Sequence, residues 1–334
     1  MCHITQKLRQ HGSLLLRVGI SGGLLAWVLS TLDLASMWAH AKVLNPWAWG
    51  AALLFSIASQ SLCSVRWWTL TTALGIRAGV ARIWRLYVEG LFFSLCLPST
   101  IGGDVVKVFR LCATKSGRVL AALSVAADRV AGLFGVLIIG LAAMTGRKLE
   151  VSGLATLGIG AGFLLATCVA VWLGMWIIRR VHASLATEGR LDNLLRPLIP
   201  YQDRPGVLIA AIGQSIVIQL LNATILVALG WGLGLDIPLV AYYSVAPLVA
   251  LALALPLSIN GVGVREGLIV VLLREYGVAA DLSAALGLLW FTVTVTTGLL
   301  AGLVYALAPK LTHEEEVQMN HTTSHEADEM RLAA

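Results

Sequence analysis

Apolar stretches alternate with polar, cation-bearing loops along this chain, at 14–32, 47–65, 86–97, 119–144, 152–178, 207–234, 239–257, 262–273 and 283–308. A bilayer core of about 30 Å takes about 20 apolar residues per helix. Six stretches reach that length and are predicted to cross: 14–32, 47–65, 119–144, 152–178, 207–234 and 283–308. The stretch 86–97 is too short to span; 239–257 is about long enough, but its follower 262–273 is not. Both short stretches flank a Pro-Gly break. Backbone polar groups in lipid must be satisfied within the segment, so the spans are helices. The predicted fold class is therefore an all-α polytopic membrane protein, with about six full transmembrane helices and two re-entrant hairpins, 86–110 and 240–275. Around them lie a cytoplasmic N-terminus (1–13) and a polar, disordered cytoplasmic tail (309–334). An "AHA" at 39–41 has the form of a cleavage site but lies nine residues beyond Leu32, far for a signal peptidase, so 14–32 is taken as a retained helix.

The loop cations set the orientation. Lys7, Arg9 and Arg17 put the N-terminus inside, and the nearly neutral loop 33–46 faces out. Arg66, Arg77, Arg82 and Arg85 place loop 66–85 inside, and Lys107, Arg110, Lys115 and Arg118 belong on the same side. One half-length helix cannot cross and leave both flanks in the cytoplasm. It can dip in and return, which makes 86–110 a hairpin opened from inside. The loop 179–206 follows the rule, while Arg147 and Lys148 in the outward loop 145–151 run mildly against it.

The chain also resembles itself. "LPSTIGGDVVKVFR" at 97–110 is similar to "LPLSINGVGVREGL" at 255–268. From Trp47 to Pro98 is 51 residues, and from Val207 to Pro256 is 49. Two membrane repeats, 14–144 and 145–308, then share the order span, span, hairpin, span. Three full spans in the first put the start of the second on the opposite face. That describes an inverted-topology repeat, in which interrupted helices build a site at the bilayer midplane. Both termini then lie in the cytoplasm.

The breaks carry the candidate chemistry. Pro98 removes a backbone donor and disfavours helix before it. Gly102 and Gly103 permit close backbone approach, and Asp104 is expected to cap a helix starting at Val105. Lys107 and Arg110 then share a helix face. A charge at the bilayer centre costs roughly 2.5–3.5 kcal/mol by insertion scales, so an acid and two cations here point to a wet vestibule. The alternative is that Lys107 and Arg110 snorkel to the inner surface. Asp128 and Arg129 lie inside the span 119–144 and, as helix neighbours, point about 100° apart. Asp128 is expected to meet Lys107 or Arg110, and Arg129 to meet Glu89 or a lipid phosphate; an internal structural ion pair is the alternative for both. The second break repeats the theme: Pro256, Gly261 and Gly263 interrupt, Asn260 can cap, and Arg265 and Glu266 open the returning half-helix. A half-helix N-terminus suits an anionic group such as phosphate. Arg66 is either a membrane-edge cation or a head-group contact, with Trp67 and Trp68 as interfacial anchors.

Composition excludes other classes. Of 334 residues 58% are hydrophobic and 13% charged, against about 25% charged in soluble proteins. The net charge of +6 lies in loops with no nucleic-acid motif beside it, which favours anionic membrane faces as partner and excludes nucleic acid. Five scattered cysteines and seven histidines outside the apolar runs form no disulfide framework or metal spacing, so no metal or cofactor is expected.

The stretches "SVRWWTLTTALG" (64–75), "FFSLCLPSTIGGDVVKVFRL" (92–111), "SVAADRVAGLFGV" (124–136) and "LPLSINGVGVREGLIVVLLREYGV" (255–278) resemble motifs of the lysylphosphatidylglycerol synthase transmembrane region family. These are flippase-like inner-membrane proteins of bacteria and archaea. The resemblance covers most of 14–308. It implies a domain that moves or presents a lipid with a charged or sugar-bearing head group in the cytoplasmic membrane. Arg66, Pro98, Gly103, Asp104, Arg110, Arg129, Gly261, Gly263, Arg265 and Glu266 sit on the family pattern. Where this chain has Asp128 the family often has Glu. About 25 residues follow the last span, too few for the aminoacyl-transferase domain of full synthases, so lysyl transfer is not expected.

Three functions compete. A lipid flippase or transporter would use the polar hairpins to pass an anionic or polar head group. With no Walker motif, its energy would come from an ion gradient, the membrane potential or downhill lipid use. An intramembrane aspartyl protease would use Asp104 and Asp128, but Ile101-Gly102-Gly103-Asp104 departs from the GxGD pattern, and three nearby cations stand against the shared proton that an acid dyad needs. A non-transporting accessory subunit of a lipid-modifying or glycosyl-transferring enzyme is the third. The expectation is a transporter and not an enzyme.

Overall fold

The computed structural model describes residues 45–96, 102–112, 114–145, 165, 201, 203–254, 261 and 263–307. The spans expected at 14–32 and 152–178, the tail 309–334, and Pro98, Pro256 and Asn260 lie outside the described residues. Within them the chain is helical: α1 (Pro46–Ala73), α2 (Val80–Cys96), α3 (Gly102–Leu111), α4 (Lys115–Thr145), α5 (Pro205–Gly232), α6 (Leu239–Ala254), α7 (Val264–Leu273), a 3-10 turn (Arg274–Tyr276) and α8 (Ala280–Leu307). This is an all-α polytopic membrane protein. Among the described residues, four helices are long and apolar enough to cross a bilayer: Pro46–Ala73, Gly117–Ala143, Pro205–Gly232 and Ala280–Leu307.

These four coincide with four of the six expected spans, with ends shifted by a few residues in three of them. The largest difference is at α1, which continues through Arg66 to Ala73 where the apolar pattern stops at residue 65. Helix geometry does not end at a charge when a partner for that charge is at hand. The two short stretches become helix pairs. α2 and α3 have 17 and 10 residues, α6 and α7 have 16 and 10. Helix lengths therefore run 28, 17, 10 and 31 from α1 to α4, and 28, 16, 10 and 28 from α5 to α8 without the 3-10 turn. Among the described residues, the helix lengths thus recur in the same order.

The helices divide into two units. The first holds the described residues of Met1–Ser59, Leu91–Gly103 and Gln219–Gly302. Its core gathers Leu226 and Leu229 of α5, Tyr242 and Val249 of α6, Ile269 of α7 and Leu286 of α8. Hydrogen bonds tie the apolar helices side to side: Ser56 to Thr297 at 2.9 Å, Ser59 Oγ to Asn222 Oδ1 at 2.9 Å, and Trp49 Nε1 to Thr292 Oγ1 at 3.0 Å. Lipid gives no hydrophobic push between helices, so packing and such bonds carry association.

The second unit holds Gln60–Gly90 and the described residues of Asp104–Ile218 and Leu303–Ala334. Leu70, Ala73 and Leu74 pack with Ala131, Tyr201 and Ala211. The Tyr201 hydroxyl donates to the Leu70 carbonyl at 2.8 Å. Trp67 is not the interfacial anchor expected of it. Trp67 is 1% exposed and donates to Ser124 Oγ at 3.1 Å, while Trp68 donates to the Ala78 carbonyl at 3.0 Å. An indole buried as deeply as Trp67 needs a partner for its N–H, and the Ser124 hydroxyl supplies it.

α4 and α5 approach closely at Gly135, where an added Cβ would fall 2.6 Å from Ser215 Cβ and 2.8 Å from Ser215 backbone. Backbone cannot yield as a side-chain tip can. Gly135→Ala is expected to cost about 1–3 kcal/mol, the range for overpacking. Gly213→Ala on α5, where an added Cβ meets nothing within 4 Å, is expected to be tolerated. Thermal unfolding of both variants in detergent checks the contrast.

Candidate functional site

Inside the second unit three carboxylates and five cations form three linked groups. The innermost joins α1, α4 and α5. Arg66 Nε donates to Asp128 Oδ1 at 2.7 Å and Arg66 Nη1 to Ser215 Oγ at 2.8 Å. Ser215 Oγ in turn bonds the Ala211 carbonyl at 2.7 Å. Arg66 is 6% exposed, so it is no membrane-edge cation. Gly132, one turn beyond Asp128, lies beside the guanidinium, where an added Cβ would make an ordinary contact 3.4 Å from Arg66 Nη1. The expected pairing of Asp128 with Lys107 or Arg110 is replaced by this one, because α1 runs on past Arg66 and lays it along α4.

The second group centres on Asp104. It lies in the first turn of α3, which starts at Gly102 and not at Val105, so Asp104 is inside the helix rather than its cap. An acid in the first turn still complements the helix dipole. Asp104 Oδ2 accepts from Arg129 Nε at 2.9 Å and Nη2 at 2.6 Å, and Oδ1 accepts from Lys107 Nζ at 3.3 Å. Arg129 thus meets Asp104 and not Glu89. The Lys107 ammonium also stands 4.0 Å over the Tyr87 ring and 5.6 Å from that of Trp67. Aromatic faces attract a cation at such distances. Neither Tyr87 nor Ser215 was evident as a site residue, since a lone Tyr or Ser in an apolar helix carries no signal of its own.

The third group is Glu89, 1% exposed on α2, with Arg85 Nε at 3.3 Å and Arg110 Nε at 3.4 Å. Arg110 also faces the Tyr305 ring at 5.7 Å. Lys107 and Arg110, expected to share a face, divide their partners between the second and third groups. The far end of α3 is closed by Arg82, which donates to the Leu111 carbonyl, and Arg118, which donates to that of Cys112, each at 3.3 Å. Cations on final carbonyls are the favourable polarity for a helix C-terminus. Burial pushes the Cys112 thiol up to about 11 although these two arginines pull it down, so it stays a thiol at neutral pH.

The first unit carries a different arrangement. Gly261 and Gly263 have φ of 75° and 82°, the left-handed region where glycine is at ease. Gly261 also packs against Leu253 of α6. Gly263 is the cap of α7, and its N–H donates to Glu266 Oε2 at 2.7 Å. Arg265 is buried, with its guanidinium 5.4 Å from the ring centres of both Trp290 and Phe291 on α8. Gly287 leaves room for Glu266: an added Cβ would lie 3.1 Å from its Cα. Arg274 and Glu275 are exposed in the 3-10 turn.

The arrangement of the second unit can hold an anion. Five cations stand against three carboxylates, and they differ in access. Arg66 and Lys107 are buried, whereas the Arg110 and Arg129 side chains are 40% and 62% exposed. The buried pair of Arg66 and Asp128 can be tested for stability alone. Arg66→Met, which strands a carboxylate, is expected to destabilise by about 3–5 kcal/mol. The double variant Arg66→Met/Asp128→Leu is expected to recover most of that loss, because apolar replacement of a whole buried pair is often near neutral. Unfolding in graded SDS measures both.

Comparison with known proteins finds one family. The model of the lysylphosphatidylglycerol synthase TM region matches residues 14–302. No curated protein and no solved structure matches the chain at a significant level.

Proposed function

The chain belongs to the lysylphosphatidylglycerol synthase TM region family, and from that membership we propose that it binds lipids with anionic head groups and moves or presents them across the cytoplasmic membrane of a bacterium or archaeon. One observation carries the reading: cations outnumber carboxylates in these three groups, and the two most accessible of those cations, Arg110 and Arg129, are guanidinium groups. Guanidinium is the side chain best matched to a phosphate, which it binds in a two-pronged fashion. Charges within lipid-spanning segments are rare and mark substrate paths.

The role proposed is that of a carrier and not of an enzyme. Asp104 and Asp128, the acids a protease would need, each lie against a separate arginine. The short pairs α2–α3 and α6–α7 are taken as hairpins that enter the bilayer and return. Their matched lengths support this, as does the recurrence of the whole order of helices.

Two measurements test the reading. Native mass spectrometry of the purified protein is expected to show phosphatidylglycerol bound in preference to phosphatidylcholine, with Arg129→Gln weakening it about tenfold, the worth of one charged hydrogen-bonded contact. Proteoliposomes with fluorescent phosphatidylglycerol are expected to show transbilayer movement that Arg129→Gln abolishes. Equal binding of the two lipids, unchanged in the variant, overturns the proposal. Selective binding without movement assigns the protein to the accessory class.

A further inference from the structure

Asp104 differs from Asp128 and Glu89, the other two carboxylates of the three groups, in what holds it. Asp128 is locked to a buried arginine that a buried serine also holds. Glu89 is buried at 1% exposure and touches its arginines only at 3.3 and 3.4 Å. The side chain of Asp104 is 14% exposed. It receives both a two-nitrogen contact from Arg129, at 2.9 and 2.6 Å, and the Lys107 ammonium at 3.3 Å.

This is the geometry with which a protein binds a phosphate: a guanidinium fork on one side and an ammonium on the other. The two cations are also held unequally. Lys107 is buried and steadied by the Tyr87 and Trp67 rings, so it keeps favourable surroundings when its anion changes. Arg129 is 62% exposed, so its guanidinium can turn to meet an incoming group without leaving a buried charge unpaired.

We propose that Asp104 is the resident anion of the head-group site. Its carboxylate occupies the cradle formed by Arg129 and Lys107, and an anionic phosphate group enters by displacing it. The inference rests on the anion-binding reading given above and adds a selectivity device. A head group must compete with a carboxylate already in place. Net negative lipids meet that condition. A zwitterionic head group, whose ammonium offsets its own phosphate, gains less from the same cations and loses the competition.

The sign of the effect of Asp104→Asn separates this from a supporting role. A residue that binds or positions the lipid loses affinity when neutralised; a competitor gains it. In phosphatidylcholine nanodiscs titrated with phosphatidylglycerol, Asp104→Asn is expected to bind about fivefold more tightly than wild type, the upper range for a partly exposed ion pair. Asp104→Glu is expected to stay near wild type. The gain is expected to vanish in the background of Arg129→Gln, since the contest is for that guanidinium. Where Asp104→Asn is not recovered folded, Asp104→Ser reads the same quantity. Inorganic phosphate added to phosphatidylcholine nanodiscs distinguishes the free ion from the lipid: a gain for the lipid alone identifies a head-group site, and an equal gain for both identifies a general phosphate site with Asp104 still its competitor. Wild-type binding of phosphatidylglycerol with unchanged or weaker binding in Asp104→Asn overturns this inference and leaves the function standing. Absence of anion binding in both proteins overturns the two together.

Discussion

A charge carried into an apolar helix bundle must find its opposite there, and this constraint shapes the second unit. Arg66 on α1 stands among residues that would otherwise face only hydrocarbon. It is tolerable because Asp128 on α4 lies at 2.7 Å and Ser215 on α5 at 2.8 Å. Meeting those distances draws three long helices together at one level. It also explains a small residue near the pair: Gly135 lets α4 approach Ser215. A buried ion pair contributes little net stability, because desolvation offsets the attraction. What it supplies here is register, since a slip of one residue on either helix would strand both charges.

Around that fixed pair the charges grade outward in access. Lys107 is enclosed by aromatic rings, Arg110 is partly open and Arg129 mostly so. The same side-chain chemistry thus serves two ends. Where burial is complete, charge holds helices; where it is partial, charge remains open to its surroundings. The first unit handles its own charges by other means. Arg265 lies against two aromatic rings, and Glu266 accepts the N–H of the residue that caps its helix.

Much of this was legible in the chain. The lengths of the apolar runs locate α4, α5 and α8 to within a few residues, because lipid thickness imposes a length that composition reveals. The glycines at 102, 103, 261 and 263 mark both breaks, and Asp104, Lys107, Asp128 and Arg129 announce themselves as charges where charge is costly. Pairing was harder to read. Asp128 and Arg129 point apart as their helix geometry requires, but the partner each finds depends on how α1 and α3 lie against α4. The end of α1 was misplaced for a related reason: taking Arg66 as the edge of the membrane assumed it had no counter-charge within reach.

The sequence by itself determined that this is a helical membrane protein with two broken segments and a family affiliation. Bilayer thickness, backbone satisfaction and motif order act locally, or along the chain. Only the tertiary structure decided which acid meets which base, which tryptophan is buried, and which cation stays open to its surroundings. Those outcomes depend on distances of a few ångströms between residues as many as 149 positions apart, as Arg66 and Ser215 are. Coulomb attraction and hydrogen bonding act across space, and no pattern along the chain records them.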